Sequence, residues 1–280
     1  MKVSVLMPVY RTDAGFLREA IASVLSQTFA DFEFLILDDC PEDDRSRVVA
    51  EFSDRRIVYV RNDRNMGISA SRNRLMDLAK GEYLAVLDHD DTCRPERFAK
   101  QVAWLDEHPE CGVVASWTRM VPDDEIKKFP SEDRDIKLAM MCGCSIWHPA
   151  SMIRRSAIEA AGVRYEAAYS PCEDYMLWMK LAPHVEFHNI PEALTEYRWH
   201  ASNTSLVCKP ELDAADARCK AWAKANLPEL YGEYELRRET VSRVKLFGVP
   251  LLKVRSSLRR TDAKLFNCIP IFSVTRKYDA

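Results

Sequence analysis

No run of apolar residues in this 280-residue chain approaches the roughly 18 needed to cross a bilayer. The short apolar start, Val3 to Tyr10, meets Arg11 without a small-residue cleavage site, so neither a spanning anchor nor secretion is expected. Glycine is scarce near that first apolar run, where only Gly15 occurs, so the glycine-rich loop that cradles phosphate in many nucleotide enzymes is missing. The nine cysteines are odd in number and scattered, and Cys142-x-Cys144 has no second pair at zinc-site spacing. They read as reduced thiols of a cytosolic protein. Net positive charge is lacking too: the formal charge is −3. From residue 241 on, nine Lys/Arg face Asp262 and Asp279, a local +7 that leaves −10 on residues 1–240. The body should not attract nucleic acid, whereas the tail could attract any anionic surface.

What is present is an ordinary globular composition, 47% apolar and 30% charged, long enough for one large core or two small ones. Short β-branched runs alternate with helical spacing. Val3–Val9 reads as strand and Phe16–Gln27 as helix, followed by strand Phe32–Leu37, helix Asp43–Phe52 and strand Arg56–Val60. Helix Ser69–Ala79, strand Tyr83–Leu87, helix Pro95–Glu107 and strand Gly112–Met120 continue the series. This predicts an α/β fold, a mostly parallel sheet with helices on both faces. Residues 123–205 read as short strands and helices in no order the pattern fixes, and 211–239 as a polar, helix-prone connector.

Ligands of such a sheet sit beyond the carboxyl ends of its strands, which directs attention to Pro8–Tyr10, Asp38-Asp39 and Asp88-His89-Asp90-Asp91. Three acids within four residues repel one another unless a cation is near. A hard divalent ion shared with substrate phosphates satisfies them; a solvated acidic turn capping the helix at Pro95 is the other reading. Asp38-Asp39 could start a turn before Pro41, or Asp39 could accept the imide N–H of a uracil.

Several motifs in order carry a resemblance. They are Val3 to Tyr10, Ser23-Val24-Leu25-Ser26-Gln27-Thr28, Phe34 to Asp39, Asn65 to Asn73, and Gly81 to Asp91. His148-Pro149-Ala150-Ser151, Glu173-Asp174-Tyr175 and Tyr197-Arg198-Trp199-His200 complete the set. Over roughly residues 1–205 the chain resembles the bacterial family 2 glycosyltransferases, inverting enzymes of the GT-A fold. The resemblance implies that Pro8, Val9, Tyr10 and Asp39 hold the base, Asp88 meets the ribose and Arg72 lies near the nucleotide. It places a Mn2+ or Mg2+ ion on Asp90, Asp91 and His200, and makes Asp174 the catalytic base with Glu173 beside it. Glu173 is equally well an acid stabilised by a helix dipole, Arg72 a surface arginine and His200 a hydrogen-bonded surface histidine. For His148 only a place lining the acceptor cleft suggests itself. Relatives often carry a glycine-rich stretch before the Glu-Asp pair, which residues 162–172 do not reproduce.

The organisation implied is a nucleotide-sugar half over 1–122 and an acceptor half over 123–205. A helical connector over 206–240 and a basic amphipathic tail over 241–280 follow. The expected reaction moves a hexosyl or N-acetylhexosaminyl unit from a UDP-sugar to an acceptor hydroxyl of a surface polysaccharide, lipopolysaccharide or lipid-linked glycan. Tails like this one, with an imperfect repeat of Lys245–Leu252 at Lys264–Ile271, occur in enzymes that build bacterial surface glycans, so a peripheral contact with the inner face of the cytoplasmic membrane is expected. A hairpin packed on the body is the alternative. Two other functions compete: a sugar-phosphate nucleotidyltransferase, weakened by the missing glycine loop, and a non-catalytic nucleotide-sugar-binding module, weakened by the presence of both Asp90 and Asp174.

Overall fold

The computed structural model describes residues 1–238 and, beyond them, the backbone of four strands. In chain order the elements are β1 (Val3–Val9), α1 (Ala14–Leu25), β2 (Phe32–Asp38), α2 (Ser46–Val49), β3 (Ile57–Arg61), α3 (Ile68–Leu78), β4 (Tyr83–Val86) and β5 (Thr92–Cys93). Then come α4 (Arg97–Glu107), β6 (Cys111–Val121), β7 (Ile126–Lys127), α5 (Asp133–Met140), β8 (Met152–Arg154), α6 (Arg155–Ala161), α7 (Glu173–Leu181) and β9 (Glu186–Arg198). Helices α8 (Thr204–Val207), α9 (Lys209–Asn226) and α10 (Pro228–Arg237) follow. The chain divides into compact units Met1–Ala221 and Trp222–Ala280.

Nine strands of the first unit form one sheet, ordered β3-β2-β1-β4-β8-β6-β9-β5 with β7 paired to β6. Strands β3, β2, β1 and β4 run parallel in the expected alternation with helices. The second half is mixed: β8 lies antiparallel between β4 and β6, while β6 and β9 are parallel over most of their length. All seven residues of β1 and of β2 are buried, as a sheet covered on both faces requires. Gly81 lets the start of β4 approach β1, since a Cβ there would lie 2.5 Å from the Ser4 nitrogen.

Two boundaries differ from expectation for local reasons. Helix α1 begins two residues early because Asp13 caps it, its Oδ1 accepting from the N–H of Gly15 (2.8 Å) and Phe16 (3.1 Å). Helix α2 is one turn rather than the ten residues expected over Asp43–Phe52. Acidic side chains hold the segment before it in turns: Asp44 accepts from the Ser46 N–H at 2.8 Å and Asp38 from the Arg45 N–H at 3.3 Å.

Beneath the loop that follows β4 lies Arg97, fully buried. Its Nη2 donates to the carbonyls of Val86 (2.9 Å) and Ser151 (3.0 Å), and its Nε to Gln101 (3.0 Å), tying β4 to the edge of β8. The cysteines among the described residues are free thiols, as expected. No helix of the described residues is long and apolar enough to cross a membrane. In the second unit β10 (Thr240–Leu246), β11 (Val249–Ser256), β12 (Arg260–Leu265) and β13 (Ile269–Thr275) form an antiparallel sheet in sequence order. The basic side chains of 241–280, on which the membrane expectation rests, lie outside the described residues.

Candidate active site

The first group of site residues gathers at the end of β1 and β2. Pro8 and Val9 close β1 as buried residues, and Tyr10 turns outward beneath the Arg11 guanidinium, 5.2 Å from its ring centroid. The Val9 carbonyl accepts from the Asp39 N–H at 2.8 Å. Asp39 is buried and shapes a loop. Its Oδ1 accepts from Asn62 Nδ2 (2.6 Å) and the Met66 N–H (2.8 Å), and its Oδ2 from the Gly67 N–H (2.8 Å). Gly67 adopts φ +81°, a conformation glycine reaches without strain, and thereby aims its N–H at the carboxylate just before α3 begins. One acceptor direction on Oδ2 is left for a ligand.

The second group follows β4. Asp88 accepts from Arg72 Nη2 at 3.3 Å, and burial pushes its carboxyl up, with Arg72 opposing. Asp90 faces the far end of the unit, its Oδ2 lying 2.9 Å from Nε2 of His200. The other imidazole nitrogen lies 2.8 Å from Ser202 Oγ, and the ring packs 5.3 Å from that of Phe16. Asp91 departs from the expected ligand set. It is 0% exposed, and its Oδ1 accepts from the Arg198 N–H at 2.9 Å and so clasps the end of β9, while its Oδ2 has no partner among the described residues. Burial and the neighbouring Asp90 and Asp88 hold its carboxyl well above the usual range. Arg198 completes the clasp, donating to the Asp90 carbonyl at 3.0 Å and pairing with Glu19.

The third group opens α7. Glu173, 5% exposed, accepts a 2.6 Å hydrogen bond from Arg72 Nη1, while its Oε2 has no partner among the described residues. Arg72 is therefore no surface arginine: it is buried and bridges Asp88 and Glu173. Asp174, partly buried, accepts from the Tyr175 N–H at 2.7 Å. Burial first and the negative Glu173 second push its carboxyl up to about 6, with Arg72 and the Tyr175 N–H pulling the other way. A carboxylate poised there takes a proton near neutrality better than an ordinary one.

His148 does not line a cleft. It is buried, its Nε2 is 2.9 Å from the Tyr165 hydroxyl, and burial followed by Arg72 and Arg97 keeps it neutral. Tyr165 in turn sits against Arg72, 5.6 Å from guanidinium to ring centroid. His108 and His188 stack on the two sides of Trp104, at 3.9 and 3.6 Å between centroids, in keeping with structural roles.

Among the described residues no three His, Cys, Asp or Glu converge on one point where a metal could sit. The donor set that remains once Asp91 is withdrawn is Asp90 and His200. One carboxylate and one imidazole suit a Mn2+ or Mg2+ ion whose other positions are taken by phosphate oxygens and water. Sequence reasoning passed over Arg198, Asn62, Gly67 and Tyr165. Arg198 stood in a quoted motif beside His200, and Gly67 opened a helix, the position where a positive φ is useful.

Arg72 joins the acid at the end of β4 to the acid that opens α7, the arrangement expected of a transferase that uses an activated sugar. The model of glycosyl transferase family 2 matches residues 4–160. An uncharacterized glycosyltransferase of Methanocaldococcus jannaschii is 30% identical over 205 residues, 70% of each chain. An Escherichia coli enzyme named UDP-Glc:alpha-D-GlcNAc-diphosphoundecaprenol beta-1,3-glucosyltransferase is 26% identical over 179 residues, 64% of this chain and 69% of its own. The fold matches the crystal structure of S. aureus TarS (residues 1–349) with UDP-GlcNAc, at TM-score 0.70 and 17% identity, over 85% of this chain and 72% of that one. This chain belongs to glycosyl transferase family 2 and has a GT-A-like fold. It is a glycosyltransferase that takes its sugar from a nucleotide-sugar donor.

Proposed function

We propose that the enzyme transfers a hexosyl or N-acetylhexosaminyl unit from a UDP-sugar, with inversion, to a hydroxyl of a glycan or lipid-linked glycan in cell-envelope polysaccharide synthesis. The observation that carries the reading is the Arg72 bridge. One guanidinium touches Asp88 at the donor-side strand end and Glu173 beside Asp174, 101 residues further along the chain. Inversion needs this opposition, a base on one side of the anomeric carbon and the departing diphosphate on the other. Asp174 takes the acceptor's proton, and Arg72 holds Glu173 so that the second acid of the pair does not compete for it. Asp88 meets the ribose, and Asp39 with the Pro8–Tyr10 turn receives the base. Asp39 Oδ2 retains room for the imide N–H of uracil, and the TarS complex contains UDP-GlcNAc.

Asp90 and His200 would hold a divalent cation, which supplies charge neutralisation for the leaving diphosphate. Ser202 and Phe16 orient the imidazole for that role. Residues 1–122 act as the donor half and 123–205 as the acceptor half of one domain. The basic residues of 241–280 bring the enzyme to anionic lipid at the inner face of the cytoplasmic membrane, where lipid-linked acceptors reside.

The test is nucleotide release from UDP-, GDP- and CMP-sugars, with and without Mn2+, for the wild type and Asp174→Asn, with lipid-linked glycan acceptors present. Release from a UDP-sugar that falls by about 10²–10⁴ in the variant while UDP binding persists is the expected result. Release from a GDP- or CMP-sugar alone refutes the donor assignment.

A further inference from the structure

Four partly exposed aromatic side chains form a connected row in the first unit. Phe129 and Trp147 have ring centroids 6.0 Å apart, Trp147 and Tyr197 5.1 Å, and Tyr197 and Trp199 6.1 Å. Large apolar rings left partly in water are the informative exception on a protein surface, and Trp199 is 41% exposed. The row is built rather than accidental. The Trp117 indole N–H donates to the Phe129 carbonyl at 3.0 Å, and the Trp199 N–H donates to the Val121 carbonyl at 2.8 Å. The indole N–H of Trp147 has no partner among the described residues.

The row adjoins residues assigned above to the reaction. Trp199 immediately precedes His200. Tyr197 lies within the field of Asp91, Asp88 and Asp90, which with burial as the larger cause push its phenol up. At the middle, Trp147 precedes His148, whose ring is 5.8 Å from that of Trp178. Trp178 follows Asp174 by four residues, one turn along the same face of α7.

We propose that Phe129, Trp147, Tyr197 and Trp199 form the acceptor subsite, on which pyranose rings of the acceptor glycan lie with their C–H faces against the aromatic rings. This rests on the transferase reading above and deepens it. A pyranose has an apolar face of C–H bonds and a rim of hydroxyls, and the electron-rich face of an aromatic ring attracts such C–H groups while excluding water. The rings are not coplanar; successive pairs are inclined by 33°, 86° and 51°, so faces and edges alternate along the row. A twisted run of sugars fits this better than a flat base or an extended alkyl chain. No member of the row is charged, so selection falls on shape and hydroxyl pattern. A glycan lying here delivers its terminal hydroxyl between Asp174 and the Asp90–His200 pair.

The test is saturation-transfer NMR on the full-length protein saturated with UDP. The probes are glucose-, galactose- and N-acetylglucosamine-terminated disaccharides, together with n-octyl β-glucoside below its micelle concentration. Saturation should reach pyranose ring protons. Trp147→Ala and Trp199→Ala should each weaken glycan binding by about tenfold. Trp147→Phe should restore most of it, and UDP affinity should stay within about twofold throughout. The proposal is overturned if no pyranose signal appears with the wild type, if both alanine variants bind glycan as the wild type does, or if only octyl-chain protons are saturated. Failure of UDP itself to bind, measured beforehand, counts against the donor reading instead.

Discussion

Replacing Glu173 by Gln tests the acid–base assignment at its most exposed point. The variant keeps the volume and a hydrogen-bond acceptor for Arg72 but removes the negative charge that, after burial, does most to raise the Asp174 carboxyl to about 6. A close like charge contributes on the order of one pKa unit, about 1.4 kcal/mol. At pH 6 wild-type Asp174 is roughly half ionised; after a one-unit fall it is roughly nine-tenths ionised. The acidic limb of kcat/KM for the acceptor should therefore move down by about one unit, and the rate at pH 6 should nearly double relative to the plateau. The plateau itself should fall, by no more than about tenfold, because a weaker base accepts a proton less readily. Removing the opposing cation, as in Arg72→Gln, should move the limb upward. The assay is initial-rate kinetics from pH 4.5 to 8.5 at saturating donor. An acidic limb that stays at about 6 in an active Glu173→Gln enzyme would show that Asp174 is not the titrating base.

Asp174 also bears on stability. Its folded-state carboxyl is raised from 3.8 to about 6, so the folded chain holds a proton more tightly than the unfolded chain, and stability falls as pH rises through that window. Asp174→Asn should thus stabilise the enzyme at pH 7 by on the order of 1–3 kcal/mol and change little at pH 4, as urea melts at the two pH values would reveal. Loss of the imidazole in His200→Ala should raise the Mn2+ concentration needed for half-maximal activity by about tenfold or more while leaving UDP binding without metal intact, read by metal titration after chelation. In Gly67→Ala the added Cβ meets nothing within 4 Å, so the cost is that of the backbone at φ +81° and ψ 161°, a region almost exclusive to glycine, about 1–3 kcal/mol. Relaxation of that strain should also turn the N–H from Asp39 and weaken UDP binding, measurable by calorimetry.

The donor half was legible because each strand–helix step there is local. Apolar runs such as Val3–Val9 and Phe32–Asp38 are buried on both faces, and the acids at their ends announce themselves by position. The acceptor half was not, since β8 is three residues long and β6 finds β9 across some seventy residues, a pairing without a local signature. Within the site, the residue types were readable but their directions were not. Asp90 and Asp91 are adjacent and alike in sequence, yet the Arg198 N–H draws one into the interior and leaves the other to His200. The same limit hid what Arg72 touches, since its helix reads as a half-exposed one until Glu173 closes over it.

Arg97 sits enclosed beneath the loop of Asp88 to Asp91 with no carboxylate in hydrogen-bonding distance among the described residues, its charge spread over two carbonyls and an amide. The protein thus carries a permanent counter-ion of its own. Because Arg97 is held by main-chain carbonyls and an amide rather than by an acid, its place in the interior does not depend on the protonation of the loop above it.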